Sequence, residues 1–189
     1  MVLVYEERVN NDFKGTIIDI ETIGDFCRGY HDSREYGEMT PVIFGYIKKD
    51  KLEIICAKQS GSVKNLKKAI DDVVPTLNPP FYAFNSVFEK GVLHHFCGLD
   101  MIFGGELNTI RYESKRSAVR SLGIENYDDP FFDDGNKCRL AWLKECESLR
   151  EGGVFSQRNS MKHNRSCLLK ERDILLKRGY RTPDKLELA

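Results

Sequence analysis

Residues 13–24 read FKGTIIDIETIG, a β-branched run that closes on two carboxylates and a glycine, the pattern of a strand entering a turn. A polar stretch from Asp25 to Met39 follows. Residues 41–58, PVIFGYIKKDKLEIICAK, then predict two more strands joined by a tight turn at Lys49, Asp50 and Lys51, which makes a three-strand meander. Downstream, Ser62 caps a predicted helix whose apolar positions Val63, Leu66, Ile70, Val73 and Val74 recur at helical spacing until Pro75 and the Pro79-Pro80 pair stop it. FYAF from Phe81 predicts a short buried strand, and Asn85 or Ser86 then opens a helix carrying Phe88, Val92, Leu93 and Phe96. A further strand is expected from Leu107 to Tyr112, and a helix from Ser114 to Leu122 that ends at Gly123. Residues 125–137, ENYDDPFFDDGNK, are turn-rich. Beyond them the pattern predicts a helix over 138–150, a break at Gly152-Gly153, and a long amphipathic helix from Ser156 to about Gly179.

The order β-β-β-α-β-α followed by helices predicts an α/β chain whose mixed sheet joins an antiparallel meander to parallel strands, with helices flanking it. A doubly wound nucleotide-binding fold would begin with alternating β and α units and a glycine-rich first turn. Neither GxGxxG nor GxxxxGK[ST] occurs, so Rossmann and P-loop readings fail. With 189 residues, 41% of them hydrophobic and 31% charged, one domain over 1–189 with its core at about 13–180 is expected.

The longest apolar runs fall far short of the ~20 residues that span a bilayer, so no membrane partner is expected. The opening MVLVYEERV carries two acids where a leader needs positive charge, so export is not expected either. The six cysteines, at 27, 56, 97, 138, 146 and 167, form no CxxC and no Cys/His pairing at zinc-ligand spacing. They read as small buried hydrophobes of a chain kept in a reducing, cytoplasmic compartment. Lysine plus arginine balance aspartate plus glutamate at 29 each, yet from Arg150 onward ten basic residues face five acidic ones. That surplus suits a phosphate-facing surface or a solvated helix face.

Asp19 and Glu21 lie two apart at the end of the first predicted strand, so their side chains share one face of the sheet. Paired carboxylates on an apolar strand repel and resist desolvation unless water or a cation reaches them, and Mg²⁺ is a natural partner. Glu89, in the first turn of the helix after FYAF, is a third carboxylate that can face the first two across the sheet end. His94 and His95, adjacent on one helix, point in different directions and read as packing and surface residues.

These stretches resemble the DEDD superfamily of 3′-to-5′ exonucleases on the ribonuclease-H fold, especially its YprB-like branch. IIDIETIG (17–24) is similar to the first motif, FYAFNSVFEKGVL (81–93) to the second and KHNRSCLLKERDILL (162–176) to the third, with a looser likeness in YESKRSAVRSLGIENYDDP (112–130). The resemblance implies a ribonuclease-H-like three-layer fold and two Mg²⁺ or Mn²⁺ ions held by Asp19, Glu21, Glu89 and Glu171. It implies that His163 orients or deprotonates the attacking water, and that the substrate is a single-stranded or frayed 3′ end of nucleic acid. Arg165, Lys170 and Asn85 would then touch nucleic acid, and Tyr30, Phe88 or Tyr112 would stack on bases, Phe88 being the better core residue.

The chain departs from the family pattern twice. Glu89 stands where the second motif has Asp, and Cys167 where the third has its Asp. A thiol is a poor ligand for Mg²⁺. Glu171, one helical turn beyond Cys167, is the better substitute, because Asp173 is rotated away from that face. Two outcomes stay open: an exonuclease rescued by Glu171, or a ribonuclease-H-fold module that has lost its chemistry and binds nucleic acid or a protein partner. RNA and DNA are not distinguished.

Overall fold

The computed structural model describes residues 1–10, 12–110, 112–151 and 158–189. The expected break at Gly152-Gly153 and the expected helix start at Ser156 lie outside the described residues. Six strands form one sheet: β1 Val2–Arg8, β2 Thr16–Ile23, β3 Thr40–Lys48, β4 Lys51–Ala57, β5 Phe81–Ala83 and β6 Phe103–Glu106, in the order β1-β4-β3-β2-β5-β6. β1, β4, β3 and β2 pair antiparallel, whereas β5 and β6 join β2 in parallel. The sheet is therefore mixed, and β2 is the strand at which its direction changes. Five helices accompany it: α1 Val63–Val73, α2 Ser86–Cys97, α3 Lys115–Ser121, α4 Gly135–Arg150 and α5 Asn159–Arg178.

β3 is buried from Pro41 to Ile47 because strands flank it on both sides and helices cover it, so its near-continuous apolar run is what the position demands. α1 and α5 both pack on β3 and β4, and α2 packs near β2, β5 and β6. Gly45, opposite Asp19 in the β2–β3 register, lets α5 lie close: a Cβ there would meet Asn164 Oδ1 at 2.1 Å. Trp142 of α4 is fully buried, and its indole N–H donates to the Ala57 carbonyl at 3.1 Å, tying α4 to the end of β4.

Two elements differ from the sequence reading. Val2–Arg8, read only as an unsuitable leader, is an edge strand paired with β4 from Val2↔Ala57 to Arg8↔Lys51, so it adds a fourth antiparallel strand beside the β2–β3–β4 meander. Its charged half signalled no strand because an edge strand keeps one face and one border in water. The strand expected at Leu107–Tyr112 lies earlier, at Phe103–Glu106. Gly104 and Gly105, which argue against a strand in sequence, are what this edge needs, since a Cβ at Gly105 would lie 2.5 Å from the Tyr180 ring. Among the described residues no helix is long and apolar enough to cross a membrane.

Candidate functional site

β2 carries Asp19 and Glu21 on the face toward α5, and a bulge between Glu21 and Thr22 breaks the register beside them. Asp19 is buried, and both of its oxygens are engaged. Lys115 Nζ donates to Oδ1 at 2.7 Å, and Asn164 Nδ2 donates to Oδ2 at 2.6 Å. Lys115 opens α3, whose start is fixed by Ser114 capping the Ser117 N–H. The same ammonium lies 2.6 Å from Glu171 Oε1, so one lysine bridges two buried carboxylates. Glu171 Oε2 and Glu89 Oε2 are buried with no hydrogen-bond donor among the described residues.

The charges follow from these contacts. Burial alone would raise Asp19, but the Lys115 ammonium outweighs it and holds the carboxyl below its usual value. Burial pushes Glu171 well above the carboxylate range, with Asp19 adding to the rise and Lys115 opposing it. Glu89 is likewise pushed well up, by burial and then by the charges of Glu171 and Asp19. Glu21 is raised to about 7 by burial, against the pull of His163. The cluster holds more carboxyl groups than its lysine can neutralise, so Glu89 and Glu171 favour the protonated form.

His163 stands on α5 one turn before Cys167. Its Nδ1 is 2.8 Å from Asp129 Oδ1, and its Nε2 faces Glu21 Oε1 at 3.5 Å and Cys167 Sγ at 3.7 Å. Although burial opposes it, Cys167, Glu21 and Asp129 raise the imidazole to about 12. This arrangement fixes the ring, with Nδ1 on Asp129 and Nε2 turned toward Glu21 and Cys167 at the cleft. Asp129 comes from the turn-rich segment, in which Tyr127, Asp128, Phe132 and Asp133 all take positive φ. That backbone is held by Asp129 accepting from the Phe131 and Asp133 N–H groups, and by Lys170 binding Asp129, Asp133 and Asn126.

Asp19, Glu21, Glu89, His163 and Cys167 line one cleft of about 430 Å³, together with Asn85, Phe88, Lys115 and Arg139. The structure thus brings the first two motifs and His163 together. Glu171 sits behind Lys115, fully buried, and does not line the cleft. Lys170, expected on substrate phosphates, is fully buried on Asp129 and Asp133, and Arg165 pairs with Glu7 across to β1. The cations that do line the cleft are Lys115 and Arg139. Asp173 bonds to Tyr127 and Arg172. Phe88 packs against Tyr36 and Phe26 at the cleft wall, Tyr30 lies under the Arg34 guanidinium, and Tyr112 is exposed.

No family model, curated protein or solved structure matches this chain. The site must therefore be read from its own chemistry. Sequence reasoning missed Lys115, Arg139 and Asp129. Lys115 reads as an ordinary first-turn residue and Asp129 as a turn former. His163 and Cys167 did carry a signal, since residues four apart on a helix share a face.

Proposed function

We propose that the chain is a metal-dependent phosphodiester hydrolase of the 3′-to-5′ exonuclease kind on a ribonuclease-H-like frame, with this cleft as its active site. The observation that carries the reading is the meeting of Asp19, Glu21 and Glu89, from a strand end and the helix beside it, at one open cleft. The residues fit a cation at Glu21, and Glu89 Oε2, on the same cleft, is a carboxylate oxygen with no donor among the described residues. They fit a pair of ions bridged by Asp19 less well, because Lys115 and Asn164 hold both Asp19 oxygens. When bound, a divalent ion would supply an acidified water and positive charge for the phosphate.

The chain's own groups would do the rest. Lys115, a fixed charge at the cleft, would take the place of a second ion in stabilising the phosphate oxygens. Arg139 would hold the backbone at the mouth, and Asn85 and Phe88 would line the terminal nucleotide's wall. The test is incubation of the full chain with a 5′-labelled single-stranded oligonucleotide and Mg²⁺, Mn²⁺, Zn²⁺ or Co²⁺. Stepwise shortening from the 3′ end is expected, and Asp19→Asn and Glu21→Gln should abolish it. No shortening with any of the four ions would sink the proposal. A second reading is favoured by the Lys115 bridge itself, because an ammonium that neutralises Asp19 and Glu171 is what a catalytically degenerate nucleic-acid or protein-binding module would retain. That module would bind the oligonucleotide and leave its length unchanged.

A further inference from the structure

We infer that Glu21, His163 and Cys167 form a binding site for a single zinc-class divalent ion, with its fourth position open to the cleft. This deepens the reading of the cleft by naming its cation, and its test does not depend on turnover. One ligand atom from each residue lies within 4.8 Å of the other two. Ligands at zinc distances in a tetrahedron are separated by roughly 3.3 to 3.8 Å, from bond lengths of about 2.0 to 2.3 Å. The 3.5 Å between His163 Nε2 and Glu21 Oε1 and the 3.7 Å between His163 Nε2 and Cys167 Sγ are close to that edge length. The third edge, from Glu21 to Cys167, lies within 4.8 Å, so closing the site takes a side-chain shift of at most about 1 Å.

The supporting contacts are those of a metal ligand. Asp129 binds His163 Nδ1, which leaves Nε2 as the atom turned to Glu21 and Cys167, the carboxylate–imidazole arrangement that orients metal-bound histidines. Asp129 is itself fixed by Lys170 and two backbone N–H groups, so the imidazole has little freedom to turn away. Glu21 and Cys167 reach the same point from β2 and α5. Binding would release the thiol and imidazolium protons to solvent, and one thiolate with one carboxylate would cancel the ion's two charges, so this buried site would end neutral. Three protein ligands with a fourth position facing a cavity are the arrangement of catalytic and not structural zinc sites. A thiolate and an imidazole select zinc or cobalt over magnesium. The same Cys167 that departs from a magnesium motif is thus a suitable ligand here.

Titration of the chelator-stripped full chain with Co²⁺ tests this. A near-ultraviolet thiolate-to-cobalt charge-transfer band and the visible bands of tetrahedral cobalt are expected at one equivalent. Zn²⁺ should displace the cobalt, and a large excess of Mg²⁺ should not. Cys167→Ser should remove the thiolate band, and Glu21→Gln should weaken binding by tenfold or more. Cys146→Ser should keep the band, because the Cys146 thiol points to the Lys58 carbonyl and lies outside the group. If Cys167→Ser does not fold, the wild-type titration with zinc and magnesium competition still decides. Absence of a thiolate band in the wild type, its survival in a folded Cys167→Ser, or displacement of cobalt by Mg²⁺ as readily as by Zn²⁺ would overturn the site. A cobalt band without oligonucleotide shortening would leave the site standing and remove the hydrolase. Shortening with Mg²⁺ and no band would do the reverse.

Discussion

Two lysines, Lys170 fully buried and Lys115 at the edge of a cleft, organise two clusters of acids around α5, and they differ in how completely the acids are satisfied. Around Lys170, the ammonium reaches Asn126, Asp129 and Asp133, while Asp129 also takes two backbone N–H groups and the His163 ring. Lys170 and the Asp129 side chain are wholly buried, and the side chains there find partners. Around Lys115, the ammonium reaches Asp19 and Glu171, yet Glu89 and Glu171 keep buried oxygens without hydrogen-bond donors among the described residues, and the lysine opens onto a cleft. The closed cluster holds a strained loop in place. The open one leaves charge unbalanced where a ligand can reach it, which costs stability and serves binding.

Breaking the closed cluster should have the largest effect. Lys170→Ala strands two buried aspartates and should cost about 3 to 5 kcal/mol, read as a lower urea midpoint. A loss under about 1 kcal/mol would mean that water replaces the lysine and that the cluster is not closed. Lys115→Met should cost less, about 1 to 3 kcal/mol, because the cleft can hydrate Asp19. The same variant should strengthen Mn²⁺ binding in calorimetry by about tenfold or more, since it removes a like charge from the lining of the same cleft. Unchanged affinity would show that Lys115 and the ion do not compete for this charge.

The pH dependence of the two clusters should be opposite in sign. Interactions with His163 and two backbone N–H groups outweigh burial and hold Asp129 well below the usual range. Its contribution is present above the unfolded value of about 3.9 and is lost as pH falls through the lower folded value. Asp129→Asn should therefore melt well below wild type at neutral pH, with the gap closing below about pH 4. Glu89 is raised, so its folded form favours the proton. In metal-free protein its contribution is present below the unfolded value of about 4.3 and is lost as pH rises. Glu89→Gln should cost the least, within about 1 kcal/mol of wild type, and should be relatively more stable at high pH. A large loss for Glu89→Gln at neutral pH would put Glu89 in a satisfied network after all.

Much of the frame was legible because it depends on local pattern. The β2–β3–β4 meander, the helix after Ser62 and the pairing of FYAF with a following helix all rest on periods and turns contained in short windows. The edge elements were not, since β1 and β6 exist through partners: β1 through β4, and β6 through β5 and an isolated bridge from Glu106 to Arg181. A glycine-rich or charged strand looks like a strand only when the neighbour that completes it is known.

For the site, the sequence by itself determined that Asp19 and Glu21 share a face, that Glu89 opens the helix beside them, and that His163 and Cys167 lie one turn apart. These are consequences of the periods of strands and helices. Only the tertiary structure decided that Lys115, 96 residues from Asp19, would sit between it and Glu171, that Asn164 would reach Asp19 across 145 residues, and that Lys170 would turn inward to Asp129. No local rule assigns a lysine to phosphate or to a buried aspartate. That choice is made by which carboxylates the fold removes from water, and by the need of each buried charge for a partner.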